Sequence, residues 1–350
     1  MSTEATPPRT LCILRLSAIG DTTHVVPIIR TIQHAWPGTA ITWVIGRAEA
    51  RLLQLLPGVE FITIDKRSLR ASALALRRAL RGRRFDVLLH MQYALRASLY
   101  STLIRARTRL GFDRARAREL QWLFTNRQIA ARGNEHVLDS FFGFTDALGI
   151  GERRLEWNLP IPPTAEEWSR LQIPDGQRTL IVSACSSRRA RNWRVERYAA
   201  VIDHAVRRHG LQVLLCGGPN DYERGIGAAI EQAVSVPLRN IVGSDTLPQL
   251  LALLARATVL LAPDSGPAHM ATMVGTPVIG VCATTRSARS GPYLSRQWCV
   301  DRYAEAALRF RGRPESELPW NATIEEPGAM DLVETQAVCA RLDELLGLLP

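Results

Sequence analysis

The chain has 350 residues, which is long enough for two ordinary domains with sizeable cores. A hydrophobic content of 46% and a charged content of 22% are those of a globular protein, and no apolar run approaches the ~18–20 residues of a membrane-spanning helix. The net charge of +11, carried almost entirely by arginine, indicates an anionic partner and leaves nucleic acid, anionic lipid and phosphorylated sugar open.

The first part of the chain alternates strand and helix patterns. Its opening stretch, MSTEATPPRT, lacks the basic-then-apolar pattern of a signal peptide, so we expect a cytoplasmic protein. Buried strands are predicted at Leu11–Leu16, Ala40–Ile45, Glu60–Ile64, Phe85–His90 and Arg109–Phe112. Helices are predicted at Thr22–Trp36, Ala48–Leu56, Ala94–Ala106 and His136–Leu148.

A proline-containing polar stretch, Glu152–Glu167, is the best linker candidate, and a second series of strands and helices follows it. Strands are predicted at Leu180–Ala184, at Val213–Cys216, around Ile241 and twice within Leu260–Val281. Helices are predicted at Val195–His209, from the Gly217–Pro219 turn through Ala233, at Leu247–Ala255 and at Asp331–Leu349.

This alternation predicts an α/β protein with parallel sheets that carry helices on both faces. We expect two doubly wound, Rossmann-like domains facing a cleft, the N-terminal one spanning residues 1–160 and the C-terminal one residues 161–350. The final helix, residues 331–349, is a candidate to pack back on the N-terminal domain. Because ligands bind outside the carboxyl ends of such strands, the cleft is the expected active site.

Four polar loops follow predicted strands and would face that cleft. They are Ser17–Asp21, Ser186–Trp193, Gly217–Glu223 and Asp264–His269. In the last of these, small residues at a strand-to-helix turn favour binding of an anion such as phosphate. None of the loops matches the dinucleotide or Walker fingerprints. No ligand-spaced histidine or cysteine cluster predicts a fixed zinc site, and the six scattered cysteines are expected to be buried free thiols.

Four motifs occur in a characteristic order across roughly residues 10–290. They are AIGDTTHVVP (Ala18–Pro27), RNW (Arg191–Trp193), GGPNDYER (Gly217–Arg224) and DSGPAHMA (Asp264–Ala271). This ordered set resembles glycosyltransferase family 9, the ADP-heptose:lipopolysaccharide heptosyltransferases. The resemblance implies a GT-B fold and an inverting transfer of heptose from ADP-heptose to the Kdo/heptose inner core. It also implies that the C-terminal half binds the nucleotide sugar and the N-terminal half the acceptor.

The family's catalytic carboxylate falls at Asp21, so we expect Asp21 to be the general base that accepts the proton of the acceptor hydroxyl. A helix N-cap is the structural alternative for this residue. Arg191 is the second catalytic candidate, expected to stabilise the diphosphate leaving group. The family usually has Lys-x-Trp-Pro there, so Arg191-Asn192-Trp193-Arg194 keeps the cation and loses the proline.

Further residues are assigned by the resemblance to the donor. Ser186 and Ser187 would lie against the diphosphate, with solvated loop serines as the alternative. Ser265 and Gly266 would offer backbone N–H groups, His269 would donate to the diphosphate, and Asp264 would fix the loop by capping. Asp221 and Glu223 are explained by capping or, in the case of Glu223, by contact with the ribose hydroxyls.

The acceptor implied by the family is an anionic lipid-linked sugar, Kdo on lipid A, at the inner face of the cytoplasmic membrane. Acceptor contacts are expected from His24, Lys66, Arg67 and Arg118. The basic clusters Lys66–Arg84 and Arg105–Arg118 would draw the enzyme to the membrane peripherally by charge, without an inserted anchor. Solvated helix faces are the alternative explanation of both clusters.

Departures from the family keep other functions open. The stretch Ser-Ala-Cys-Ser-Ser and the segment Thr284–Tyr293 differ from familiar members, so transfer from another nucleotide sugar is the nearest alternative. A non-catalytic homologue is a further alternative. An arginine-rich nucleic-acid-binding protein is disfavoured, since only 6% of residues are aromatic and no nucleic-acid module is visible. No Asp-x-Asp motif is present, so no cofactor is expected to be required, and loosely bound Mg²⁺ stays open.

Overall fold

A computed structural model describes residues 7–349, which form two compact units, one ending at Pro160 and the other beginning at Ile161. Residues 1–6, part of the opening stretch used to predict localisation, and residue 350 lie outside the described part. Each unit contains a six-stranded, wholly parallel sheet with helices in its connections. The predicted α/β class with two Rossmann-like halves is therefore confirmed.

The N-terminal sheet is built around β1 (TLCIL), a strand that is apolar and buried after Thr10 and whose Ile13 pairs with Trp43 on one side and Leu89 on the other. Such a continuous apolar run suits a strand covered on both faces. The strand order is β3-β2-β1-β4-β5-β6. The strands are β1 (Thr10–Leu14), β2 (Ala40–Gly46), β3 (Val59–Ile64), β4 (Phe85–His90), β5 (Ala106–Gly111) and β6 (Arg127–Gln128).

Six α-helices connect or cover these strands. They are α1 (Ile19–Thr23), α2 (Val25–Ala35), α3 (Arg47–Leu53), α4 (Leu69–Ala79), α5 (Leu95–Ser101) and α6 (Val137–Ala147). The predicted helix Thr22–Trp36 is instead the pair α1 and α2, which meet at His24. Pro27 lies in the first turn of α2, where its missing N–H costs no intrahelical hydrogen bond.

The C-terminal sheet has the order β12-β11-β10-β7-β8-β9. Its strands are β7 (Thr179–Val182), β8 (Gln212–Leu215), β9 (Arg239–Asn240), β10 (Val259–Pro263), β11 (Val278–Cys282) and β12 (Val300–Asp301). Its helices are α7 (Pro163–Gln172), α8 (Val195–His209), α9 (Asp221–Ala233), α10 (Leu247–Arg256), α11 (Gly266–Met273), α12 (Ser287–Ser290), α13 (Tyr303–Ala306) and α14 (Thr335–Leu348). The helix α8 ends at Gly210, whose φ of 63° is the left-handed conformation that glycine adopts readily.

The final helix, α14, packs in the core of the C-terminal unit. Its buried residues Val338, Leu342, Leu345 and Leu346 join the core around β7 and β10, and the helix contacts α8 and β11. The expectation that this helix packs back on the N-terminal domain is corrected by this placement. An amphipathic helix has one apolar face to bury, and here that face is used within its own unit.

Both sheets reverse their strand order once, and these switch points position the loops that were singled out from the sequence. The N-terminal reversal lies between β1 and β4, and the C-terminal reversal lies between β7 and β10. The first turn of the helix after β1 contains Asp21, and the loops after β7 and β10 contain Ser186 and Asp264. Ligands of doubly wound sheets bind at such points. Among residues 7–349, none of the helices is both long enough and apolar enough to cross a bilayer.

Candidate active site

The carboxylate of Asp21 lies beyond the end of β1, paired with a buried arginine. Asp21 is in the first turn of α1, whose N-cap residue is Ala18, so the alternative that Asp21 is the helix N-cap is wrong. Arg15, only 5% exposed, forms an ion pair with Asp21 Oδ2 and donates from Nη1 to the carbonyl of Met91 at 2.6 Å. The Asp21 side chain remains 38% exposed. The carboxylate is therefore held from one side and accessible from another.

Gln92 ties together the two loops that flank this switch point. Its Oε1 accepts a hydrogen bond from the backbone N–H of Leu16, just beyond β1, at 2.7 Å. Sequence reasoning missed Gln92 and also Arg15. The available signal for Arg15 was a single cation inside an otherwise apolar strand pattern, LCILRL.

Asp264 anchors the loop between β10 and α11. Its side chain is 7% exposed, and Oδ2 accepts hydrogen bonds from Thr285 Oγ1 at 2.8 Å and Ser290 Oγ at 3.1 Å. Arg191 Nη1 lies 3.2 Å from the same oxygen, and His269 Nε2 lies 3.6 Å from Oδ1. Four side chains from three separate segments therefore converge on one buried carboxylate.

This environment keeps Asp264 ionised. Burial alone would raise its pKa, but the interactions with His269, Arg191 and Thr285 outweigh burial and lower the pKa of Asp264 to about 2. The N-cap of α11 is Ser265, and no side chain caps this helix. We had expected Asp264 to fix its loop by capping α11, and this expectation is wrong. Asp264 instead holds the loop through its contacts with the segment after β11.

The segment that carries Thr285 and Ser290 is itself held by a buried cation, Arg286. Its guanidinium donates to the carbonyl oxygens of Pro319 and Trp320 at 2.9 and 2.8 Å and lies 4.3 Å from the ring centroid of Tyr303. These contacts position the two hydroxyls that Asp264 accepts from. Sequence reasoning flagged Thr284–Tyr293 only as a departure from the family and missed this supporting role.

The loop after β7 reaches the backbone of Asp264. Ser186 Oγ donates to the Asp264 carbonyl at 3.0 Å, and Arg191 Nη1 donates to it at 3.3 Å. Asn192, another residue missed from sequence, accepts from the backbone N–H of Ser186 at 2.7 Å. The structure thus brings together the predicted residues Ser186, Arg191 and Asp264, while Ser187 is exposed on the same loop.

Two polar atoms beside Asp264 are buried without a hydrogen-bond partner in the described part of the chain. They are Arg191 Nε and Ser265 Oγ. Next to them, Gly266 begins α11, and the first N–H groups of a helix have no intrahelical acceptor. A guanidinium, a hydroxyl and a helix N-terminus are donors that suit a phosphate oxygen. The loop therefore offers an anion-binding surface built around an already neutralised carboxylate.

Glu223 holds the turn that precedes its own helix, α9. Its Oε2 accepts from the backbone N–H of Gly218 at 2.5 Å, and its Oε1 accepts from Asn220 Nδ2 at 2.6 Å. Asn220 is the N-cap residue and accepts from the Glu223 N–H at 3.0 Å, while Asp221 is the exposed first residue of α9. These contacts give Glu223 a structural role, and Asp221 lies in the first turn, where the helix dipole favours an acid. Ribose contact by Glu223 stays a prediction.

A narrow pocket with room for about one water molecule lies where β7 and β8 end. Its lining includes Cys185, Gly217, Glu223 and Val242. Asp245, whose charge interacts with that of Glu223, has its pKa raised to about 6 by burial. Sequence reasoning missed Asp245. Perturbed carboxylates are frequent beside binding sites, so Asp245 is a further candidate residue at this end of the sheet.

Two of the predicted acceptor residues are engaged within the N-terminal unit. His24 is 2% exposed, and its ring packs edge-on against His136 with 5.4 Å between ring centroids. Lys66 Nζ pairs with the buried carboxylate of Glu49 at 2.7 Å. Both positions have evident structural roles, and acceptor contact by either residue stays a prediction.

The other two predicted acceptor residues are exposed. Arg67 belongs to the turn before α4, where its backbone N–H donates to Asp65 Oδ1 at 2.9 Å. The guanidinium of Arg118 lies 5.8 Å from the ring centroid of Tyr93. Both cations are available to an anion at the surface.

Two imidazoles and a carboxylate with metal-ligand character converge between α8 and α14. The Nε2 atoms of His204 and His209 each lie 2.6 Å from the same Asp343 Oδ1. The helix α8 starts near the carboxyl end of β7 and runs back to the start of β8. His209, at its last residue, therefore lies toward the amino ends of the strands, whereas Asp264 lies at their carboxyl ends. The sequence spacing could not reveal this group, since its members come from two helices. A shared hydrogen-bonded carboxylate explains it without a metal.

Comparison with known proteins places this geometry in a family. The family model described as glycosyltransferase family 9 (heptosyltransferase) matches residues 73–321. The chain is 37% identical over 338 residues to the lipopolysaccharide core heptosyltransferase OpsX of Haemophilus influenzae, covering 97% of both chains. Its fold is similar to that of a Veillonella parvula family 9 glycosyltransferase (TM-score 0.77, 19% identity, 97% of both chains). It is also similar to Escherichia coli heptosyltransferase WaaC with ADP (TM-score 0.73, 20% identity, 96% and 99% covered).

Proposed function

The chain belongs to glycosyltransferase family 9, and we propose that it transfers heptose from ADP-heptose to the Kdo/heptose inner core of lipopolysaccharide. The observation that carries this proposal is the convergence of Ser186, Arg191 and the Asp264–Gly266 turn at the switch point of one sheet. These groups suit the diphosphate of a nucleotide sugar. The relatives named for heptose transfer to lipopolysaccharide supply the choice of sugar and acceptor.

In the proposed inverting reaction, Asp21 acts as the general base in the N-terminal unit. Its carboxylate accepts the proton of an acceptor hydroxyl while that oxygen forms a bond to the anomeric carbon. The bond from the anomeric carbon to the diphosphate oxygen breaks, and ADP leaves with the electron pair. The buried Arg15 holds Asp21 Oδ2, so that the carboxylate is oriented before the substrate arrives.

The leaving diphosphate gains negative charge as that bond breaks, and the C-terminal loops are suited to stabilise it. Arg191 supplies a fixed cation, Ser265 supplies a hydroxyl, and the N-terminus of α11 adds backbone N–H groups at the positive end of the helix dipole. With these donors in place, we propose that no metal ion is needed to neutralise the diphosphate.

Transfer assays test the function directly. With purified ADP-heptose and a truncated lipopolysaccharide core acceptor, we expect product of one added heptose, and we expect transfer to persist in excess EDTA. UDP- and GDP-sugars serve as matched donors, since they differ in the base and sugar but keep the diphosphate. Preferential transfer from one of these donors would replace ADP-heptose in the proposal, and loss of activity in EDTA that Mg²⁺ restores would refute metal independence.

Replacing Arg191 should weaken donor binding. In Arg191→Ala the diphosphate loses a charge-assisted hydrogen bond, so the Kd for ADP should rise about tenfold to hundredfold, as measured by calorimetric titration. Arg188→Ala is the matched control, because Arg188 lies on the same loop but is exposed and pairs with Glu325 at 3.3 Å. Equal ADP affinity in wild type and Arg191→Ala would remove Arg191 from the diphosphate site.

A further inference from the structure

The side chains of His204, His209 and Asp343 bring three ligand atoms together between α8 and α14. The two Nε2 atoms and the carboxylate oxygen all lie within 4.8 Å of one another. Among residues 7–349, no other group of three histidine, cysteine or acidic side chains is found at this spacing. Imidazole and carboxylate together are ligands that zinc accepts, whereas Mg²⁺ and Ca²⁺ prefer oxygen ligands alone. The composition of the group therefore favours a zinc ion.

The distances within the group fit such an ion after a small movement. Each Nε2 lies 2.6 Å from Asp343 Oδ1. In a tetrahedral site with bonds of about 2.0–2.1 Å to zinc, neighbouring ligand atoms are about 3.3 Å apart, so the carboxylate must recede by about 0.7 Å. The three side chains are between 18% and 28% exposed, so rotation of the side chains can supply this movement.

Hydrogen bonds are enough to assemble the group in the metal-free chain, and they make it a preformed site. Both rings direct Nε2 at the same oxygen, and their centroids lie 5.8 Å apart in an edge-on arrangement. Arg208 Nε lies 3.1 Å from the other oxygen of Asp343, Oδ2. That contact keeps Oδ1 directed at the histidines, as partners outside the coordination sphere do in metal sites. To bind an ion, each imidazole carries its proton on Nδ1 and presents the Nε2 lone pair.

The group lies toward one end of a helix pair whose other end adjoins the donor loop. Just before α8, Trp193 Nε1 donates to the carbonyl of Val333, which precedes α14, at 3.0 Å. The histidines at the far end of α8 meet Asp343 of α14. The two helices therefore run in the same direction. An ion held by the group would connect the final helix to the helix that follows the donor loop.

We propose that His204, His209 and Asp343 bind one zinc ion, with water as the fourth ligand, and that this ion fastens α14 to α8. The role is structural, because the group lies toward the amino ends of the strands, whereas ligands of doubly wound sheets bind at the carboxyl ends. The proposal does not depend on the transferase function, since neither donor nor acceptor contributes to the group. Bound zinc would stabilise the folded C-terminal unit, because an unfolded chain does not bring the three ligands together.

Calorimetric titration of ZnCl₂ into the full chain, untagged and stripped of metal with EDTA that is then removed, tests the proposal. We expect one zinc ion per chain. Free zinc at about a hundred times its Kd should raise the Tm of the C-terminal unit by about 5–10 °C. Co²⁺ in place of zinc should give the visible absorbance of a four-coordinate nitrogen and oxygen site. MgCl₂ at the same concentration should produce neither the binding heat nor the Tm increase.

Three single variants locate the ion. His204→Gln, His209→Gln and Asp343→Asn should each weaken zinc binding by at least about a hundredfold and abolish the zinc-induced increase in Tm. Glu344→Gln is the matched control, because Glu344 adjoins Asp343 on α14 but is 57% exposed and pairs with Arg341. Only the change in Tm on adding zinc is compared, since each of the three variants also loses a hydrogen bond of the metal-free group.

Two results would overturn the zinc site, and a third would overturn its structural role. Wild type that binds no stoichiometric zinc has no such site. Equal zinc binding in wild type and all three variants would show that the ion is adventitious or held by other side chains. ADP affinity should be the same with and without zinc, and a dependence on zinc would connect the ion to the donor site. Zinc binding is measured without any sugar, so a failure of heptose transfer would refute the proposed transferase function and leave this proposal standing.

Discussion

Asp21→Asn is expected to lower kcat by about 10²–10⁴-fold, the usual contribution of a general base. Asparagine keeps the size of the side chain and still accepts from Arg15, but it cannot take a proton from the acceptor hydroxyl. Donor binding should be unchanged, since the donor groups lie in the other unit. Steady-state kinetics of heptose transfer, with ADP affinity measured in parallel, separate these two effects.

Asp86→Asn is the matched control for that variant. Asp86 lies on β4 of the same unit and accepts hydrogen bonds from Thr10 at the opposite end of the strands from Asp21. Its replacement should leave kcat near wild type. If Asp21→Asn turned over at a near-normal rate with intact folding, the assignment of the general base would be wrong. Thermal unfolding of both variants shows whether Arg15 tolerates the loss of its charged partner.

The sequence predicted best those parts of the fold that depend on short-range pattern. The apolar runs of β1 and β10, and the small residues of Asp264–Gly266 after β10, were enough to place a strand, a tight loop and a helix start. The two-residue strands β6 and β12 have no such pattern, because they exist only by pairing with an already formed sheet. Their positions therefore could not be predicted in the same way.

The residue types of the site could be predicted from the sequence, but the hydrogen-bond partners of those residues could not. Asp264 was expected to cap a helix, but its hydrogen-bond donors, Thr285 and Ser290, are more than twenty residues away in sequence. The position of Asp21 was also misjudged. The apolar periodicity predicted a helix that begins at Thr22, which made Asp21 a possible N-cap, but the helix has its N-cap at Ala18. Local propensity identifies a polar loop, and the tertiary fold decides which partner each polar atom meets.

Asp264→Asn is expected to destabilise the C-terminal unit by about 3 kcal/mol at pH 7, because the partly buried cation Arg191 loses its charged partner. Asparagine can still accept hydrogen bonds from Thr285 and Ser290. The decrease in stability therefore reports the loss of the negative charge next to Arg191 and His269. Chemical denaturation measures it. Asp175→Asn is the matched control, because that side chain is 90% exposed and its pairing with Arg256 should contribute little.

The difference between wild type and Asp264→Asn should depend on pH in a defined direction. The folded-state pKa of Asp264, about 2, lies below its unfolded value of about 3.9, so ionisation stabilises the folded protein above that unfolded value. This contribution, about 3 kcal/mol, should be lost as the pH falls from about 4 through 2. A stability difference that stayed constant down to pH 2 would mean that the variant acts through packing, and the buried ion pair would then not be what holds the donor loop in place.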